Sequence, residues 1–294
     1  NISSDLAFAT TGCALNINGN LSASGFHFCA PTVNVNAVVN SNGGSIGFVS
    51  NTVTGSGSFQ SNGNGRISFS QYCFCNSIEV APTDSCSTPT FFDADLIGTA
   101  NGFEGIAIGA YACGSGTITV DLGAYTLFAD MAFSNSYGTS DIVFTNNFNI
   151  FGDVEFDSGG TIYQNCGTTF SACSVVAWNS SHYNGNCCAV LPTLNLDQPG
   201  NFISGISGEF TSLDIVTNTA LLVSNAIIHN QYATYAYING VSALDTVDIS
   251  VHCGSLTLGG QIRADTDFSS PASTFTSVID VDGPVIGGVG PVAI

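Results

Sequence analysis

Phe28, Phe48 and Phe69 stand 20 and 21 residues apart, and each ends a similar small-polar stretch. Leu21-Ser22-Ala23-Ser24-Gly25 leads to the first, Val39-Asn40-Ser41-Asn42-Gly43-Gly44 to the second and Phe59-Gln60-Ser61-Asn62-Gly63 to the third. Related units run from Phe133-Ser134-Asn135-Ser136-Tyr137-Gly138 to Phe144, and from Phe156-Asp157-Ser158-Gly159-Gly160 to Tyr163, with a looser copy between Leu256 and Phe275. A period of about 20 residues is the mark of a solenoid, in which one coil has an apolar inward side that only the next coil covers. Such stacking would set Phe on Phe and Asn on Asn.

Within the period the alternation is two residues long. Leu15-Asn16-Ile17-Asn18, Val33-Asn34-Val35-Asn36 and Ile118-Thr119-Val120-Asp121 send one face inward and the other to water, and helix signals are sparse. The expectation is an all-β chain, a parallel β-helix or β-solenoid with disulfide-pinned loops. Ser-Asn-Gly-Gly between alternating runs is also hairpin chemistry, because Asn and Gly supply positive φ. An antiparallel β-sandwich or jelly roll with a strand-donating terminus is therefore the alternative. We read residues 1–294 as a single elongated domain, with 73–116 and 164–200 as irregular Cys-rich insertions and 283–294 as an apolar C-terminal tail.

Residues 14–70, with Leu15-Asn16-Ile17-Asn18-Gly19-Asn20-Leu21-Ser22-Ala23-Ser24-Gly25, resemble the β-helix repeats of filamentous-haemagglutinin-type adhesins. Weaker stretches at 117–163 and 254–282 extend the likeness. The resemblance implies a parallel β-helix and a surface or adhesive role.

Only 8% of residues are charged, against roughly 25% in ordinary soluble domains. The net charge of -19 reflects missing bases, since Arg66 and Arg263 are the only Lys or Arg residues. Two scattered arginines cannot neutralise a run of phosphates, so nucleic acid and acidic lipid are not expected partners. No run of about 18 apolar residues offers a membrane span. Cys13, Cys29, Cys73, Cys75, Cys86, Cys113, Cys166, Cys173, Cys187, Cys188 and Cys253 are spread along the chain, not paired as CxxC knuckles. All are disulfide candidates, which points to an oxidising, extracellular or cell-surface location, with Asn1 as a mature N-terminus. Sequons at Asn1, Asn20 and Asn179 are glycosylation candidates.

Asp153, Glu155 and Asp157 alternate along one strand face; Asp93 with Asp95, Asp265 with Asp267, and Asp280 with Asp282 share the spacing. With no lysine nearby, Ca²⁺ is a natural counter-ion, so Asp153, Glu155, Asp157, Asp265 and Asp267 are calcium candidates; no other cofactor is expected. His27, His182, His229 and His252 sit in no catalytic motif, and Cys173, His182, Cys187 and Cys188 fit disulfides better than zinc. Trp178 and Tyr183 suit either a sugar-stacking patch or the core.

These features predict an extracellular structural subunit of a filament, sheath or surface fibre, a homopolymer joined through strand edges. Val285, Ile286, Val289, Val292 and Ile294 would be its assembly residues. The alternatives are a monomeric surface adhesin or a glycan- or ice-binding solenoid, and a neutral-polysaccharide hydrolase on a β-helix. No catalytic residue is assigned, and an enzyme is not the expected reading.

Overall fold

The computed structural model describes residues 5–12, 14–63, 65–73, 76–85, 88–109, 116–183, 190–229, 235–264, 278–282 and 285–286, and structural statements of number or absence refer to these. Phe26–Cys29, Thr32–Val35 and Val38–Asn40 form the three sides of one coil, and Ile46–Val49, Thr52–Thr54 and Ser58–Gln60 those of the next. Corresponding strands pair in parallel and in register, Phe28 with Phe48 and Phe48 with Phe69, so the spacing of 20 to 21 residues is one turn of a β-solenoid. The parallel sense excludes the sandwich.

Two long sheets run the length of the molecule, one of 14 strands beginning at Leu6–Ala9 and one of 12 beginning at Leu15–Ile17. We call them sheets 1 and 2. The third side is a three-stranded sheet followed by a four-stranded one, with the helix Ala94–Gly98 between them in sequence. Asp93 caps that helix by accepting from the Asp95 and Leu96 N–H groups, and Leu96 and Ile97 are buried in the core.

Asn42 and Gly43 adopt positive φ (48° and 95°), as the Asn-Gly signal required. The corner nevertheless carries the chain on to the next coil instead of back along itself. Both outcomes need the same local dihedrals, and burial of Ile46 and Phe48 against Phe26 and Phe28 selects the onward one. One antiparallel pair is seen, the hairpin of Asn225–His229 with Tyr235–Asn239, which leaves sheet 1 and returns to it.

The stretches expected to be insertions belong largely to the coils. Within 73–116, Ile78–Ala81 and Thr90–Asp93 enter sheet 2 and Gly105–Gly109 enters sheet 1. Thr90–Asp93 lies between Thr52–Thr54 and Ile78–Ala81, so the chain doubles back by one rung. Within 164–200, Phe170–Ala172, Ser174–Trp178 and Thr193–Leu196 take the three sides of a coil. Their inward residues, among them Phe170, Val175 and Leu194, keep the apolar rhythm.

Stacked side chains fill the interior. Phe8, Phe28, Phe48 and Phe69 form a ladder with ring centroids 5.5, 5.1 and 5.1 Å apart. On sheet 2 the inward row runs Ile78, Ile118, Ile142, Ile162, Leu194, Leu213 and Val247 in consecutive registers. Burying each such side chain contributes about 1.5–3 kcal/mol. Outside, the Asn34 amide donates to Asn16 Oδ1 at 2.7 Å and the Asn36 amide to Asn18 Oδ1 at 3.0 Å, an amide ladder that satisfies neutral polar groups without charge.

Candidate functional site

The outward face of Asp153–Ser158 holds the densest polar cluster. Strand alternation places Val154 and Phe156 in the core and Asp153, Glu155 and Asp157 outside, in line with Ser174, Val176 and Trp178 of the neighbouring strand. That outer side is covered at its Asp157 end, while Asp153 is exposed. Trp178 is buried, and it packs with Val176 against Ile238 and Ala226 of the hairpin.

Each carboxylate already has protein partners. Asp157 is fully buried; it accepts from the Ser180 N–H and Ser180 Oγ, both at 2.7 Å, and from Ser134 Oγ at 3.1 Å. Glu155 accepts from Trp178 Nε1 at 2.9 Å, and Asp153 from Ser174 Oγ at 2.7 Å. Burial pushes the Glu155 carboxyl from 4.5 up to about 7; the Trp178 hydrogen bond opposes this, the Asp157 charge adds to it and Arg66 opposes it. Burial likewise raises Asp157, against the pull of its hydroxyl and amide donors. The repulsion expected along this face is thus relieved by protonation and hydrogen bonding. No group of three or more His, Cys, Asp or Glu residues is placed to hold a metal among the described residues.

This arrangement makes stability pH-dependent. Between pH 4.5 and about 7 folded Glu155 keeps a proton that the unfolded chain has lost, so stability falls as pH rises through that window and is level above it. The shift corresponds to about 3 kcal/mol. We expect urea unfolding midpoints to be higher at pH 5 than at pH 8, and Glu155→Gln to shrink the difference to the share of the other raised carboxyls.

Asp265 and Asp267 lie outside the described residues, as do Asn1, Cys13, Cys75, Cys86, Cys113, Cys187, Cys188, Val289, Val292 and Ile294. Cys29, Cys73, Cys166, Cys173 and Cys253 are not bonded to one another. The in-register neighbours of Cys29 are Ala9 and Val49, so no cysteine stands beside it on either adjacent rung. Asn20 is exposed, but Asn179 is buried, its amide donating to the Val190 carbonyl and its Oδ1 accepting from the Ser181 N–H, so it offers no acceptor for a glycan in the folded chain. Val285–Ile286 is not a free tail: it pairs in parallel with Leu256–Leu258 in the chain's own sheet 1.

A cavity of about 320 Å³ opens beside Glu79, Pro82, Thr119 and Asp121 on the outside of sheet 2. Its acids are likewise held, Glu79 by Ser85 and Thr88 hydroxyls and Asp121 by the Gly123 N–H. Sequence reasoning missed two other features. At the first coil a mouth of about 220 Å³ exposes Phe8, Leu15 and Leu21 over Ile17 and Phe28. At the corner entering sheet 1, Phe128 and Phe151 point outward; the signal available was a Phe directly after the inward Leu127 and Ile150 of successive coils.

Together these features define a parallel β-solenoid whose chemistry lies on its outer faces and open coil edge. Comparison with protein-family models, curated proteins and solved structures found no match to this chain. No helix among the described residues is long and apolar enough to cross a membrane.

Proposed function

We propose that the chain is an extracellular structural subunit that stacks end to end, the last coil of one copy meeting the first coil of the next. The observation that carries this reading is the state of the first coil. Among the described residues, Leu6–Ala9, Leu15–Ile17 and Leu21–Ser22 each stand first in their sheets and have a paired strand on one side. Leu6, Phe8, Leu15 and Leu21 are only partly buried, whereas their in-register partners Phe26, Phe28, Val33 and Val39 are buried. Unpaired parallel edges with apolar rows beneath them are templates for another coil of the same geometry. At the far end Val278–Asp282 and Val285–Ile286 close sheets 2 and 1 in the same parallel sense. Head-to-tail contact then preserves strand direction and gives an open filament, not a closed ring.

A body with net charge -19 repels its copies at low ionic strength, so salt should favour assembly. We expect the purified chain at about 0.15 M salt to form filaments about as wide as one solenoid in electron micrographs, and Phe8→Asp or Leu15→Asp to leave it monodisperse by light scattering. A chain that stays monomeric across salt and concentration, or one in which both variants polymerise like the parent, would exclude end-on stacking.

A further inference from the structure

Phe128 is 78% exposed and Phe151 66% exposed, yet their rings stack on each other at 5.0 Å with an interplanar angle of 13°. They follow Leu127 and Ile150, which pair in register, so they occupy the same corner position in consecutive coils. Phe202, 52% exposed, lies two coils further on in the register of Thr126, Asn149 and Ser171, beside this corner and not on it. Two aromatic rings left in water by a chain that buries its other inward Phe ladders form a surface that pairwise stacking alone does not satisfy.

The flanks of this ridge are polar on both sides. Thr126, Asn149 and Ser171 line the side toward the third sheet, in register with one another and with Phe202. Asp130, Asp153 and Ser174 line the side toward sheet 1, the Asp153 N–H donating to Asp130 Oδ1 at 2.9 Å and Asp153 standing in register with Ser174. Rung spacing of about 4.8 Å sets the two rings in line along the solenoid axis.

From this arrangement we propose that the Phe128–Phe151 edge is a binding site for a neutral, pyranose-based polysaccharide lying along the axis. A pyranose chain has apolar C–H faces that pack on aromatic rings and a rim of hydroxyls that donate to carboxylates and exchange hydrogen bonds with Asn, Ser and Thr. The electrostatics select the same partner. Asp130 and Asp153 repel a polyanion, and a second copy of the chain would bring its own carboxylates against them. A lipid surface or apolar peptide would leave the flanking polar groups desolvated and unpaired. The ridge is remote in sequence from the first-coil residues used for stacking.

Affinity gel electrophoresis with galactomannan, xyloglucan, hydroxyethyl cellulose and dextran as neutral probes, and polygalacturonate as the acidic one, tests the site. The assembly-blocked Phe8→Asp variant is run alongside, so that failure of binding is distinguished from failure of filament formation. We expect retardation by at least one neutral glycan and none by polygalacturonate. The double variant Phe128→Ala/Phe151→Ala should bind about tenfold more weakly, with an unchanged circular-dichroism spectrum and unfolding midpoint. Phe128→Ala alone should give an intermediate loss. No retardation by any neutral probe, equal retardation by polygalacturonate, or undiminished binding by the double variant would each overturn the proposal.

Discussion

Replacing Phe144 by alanine should destabilise the solenoid by about 3–5 kcal/mol, read as a lowered midpoint in guanidinium unfolding. The ring is 1% exposed and lies where all three sides of the coil converge. Its centroid is 4.8 Å from that of Phe148 and 5.0 Å from that of Phe170, in edge-on geometry, with Phe133 at 5.6 Å and Phe156 at 5.9 Å. Truncation removes the transfer energy of the ring and leaves a void bounded by four other rings. Those rings are tied to strands held in register above and below, so the site cannot collapse to refill the space. Phe128→Ala is the matched control: the same chemical change at the exposed corner should move the midpoint by less than about 0.5 kcal/mol. Equal effects at the two positions would mean that the ring cluster is not the centre of the core.

Gly55→Ala should cost about 4 kcal/mol through the backbone. Gly55 has φ of +138°, a conformation that essentially only glycine adopts, and a non-glycine residue there carries about 1–3 kcal/mol of strain. A Cβ at this position would run into the carbonyl and amide of Val35 in the preceding coil, adding overpacking of about 1–3 kcal/mol. That carbonyl also accepts the Gly57 N–H at 2.8 Å, so moving it aside breaks a rung hydrogen bond. Amide hydrogen exchange should show lost protection at Gly57 and its neighbours before the rest of the molecule. A variant as stable as the parent, with protection intact at Gly57, would show that the corner tolerates a side chain and that the close approach of the coils is not required.

The legible part of this protein was the part governed by local pattern. The recurrence of Phe28, Phe48 and Phe69 gave the coil length, and alternation in Leu15-Asn16-Ile17 and Ile118-Thr119-Val120 told which side chains face inward. Both follow from strand geometry, which repeats every two residues whatever the partner. The sense of the Ser41–Gly44 corner was not legible, because hairpin and coil corner use the same dihedrals. The exchanged order of Thr90–Asp93 and Ile78–Ala81 was also hidden, since either strand suits either rung.

The outer faces were less readable still. Alternation correctly put Asp153, Glu155 and Asp157 on one side of their strand, but it could not say that Ser180, Trp178 and a hairpin some 70 to 80 residues onward would close over Glu155 and Asp157, burying two of the expected cation ligands and raising their carboxyls while Asp153 stays exposed. It equally could not tell that Phe128 and Phe151 would find no cover. Sequence by itself thus determined the all-β class, the coil-length period, the inward rows and the nearly base-free surface, while the parallel sense that makes the chain a solenoid came from the pairing of whole coils. Which outward groups meet water, and which lie beneath chain from a distant coil, was decided by tertiary structure alone, because burial of an outer face depends on what crosses it and not on the strand that carries it.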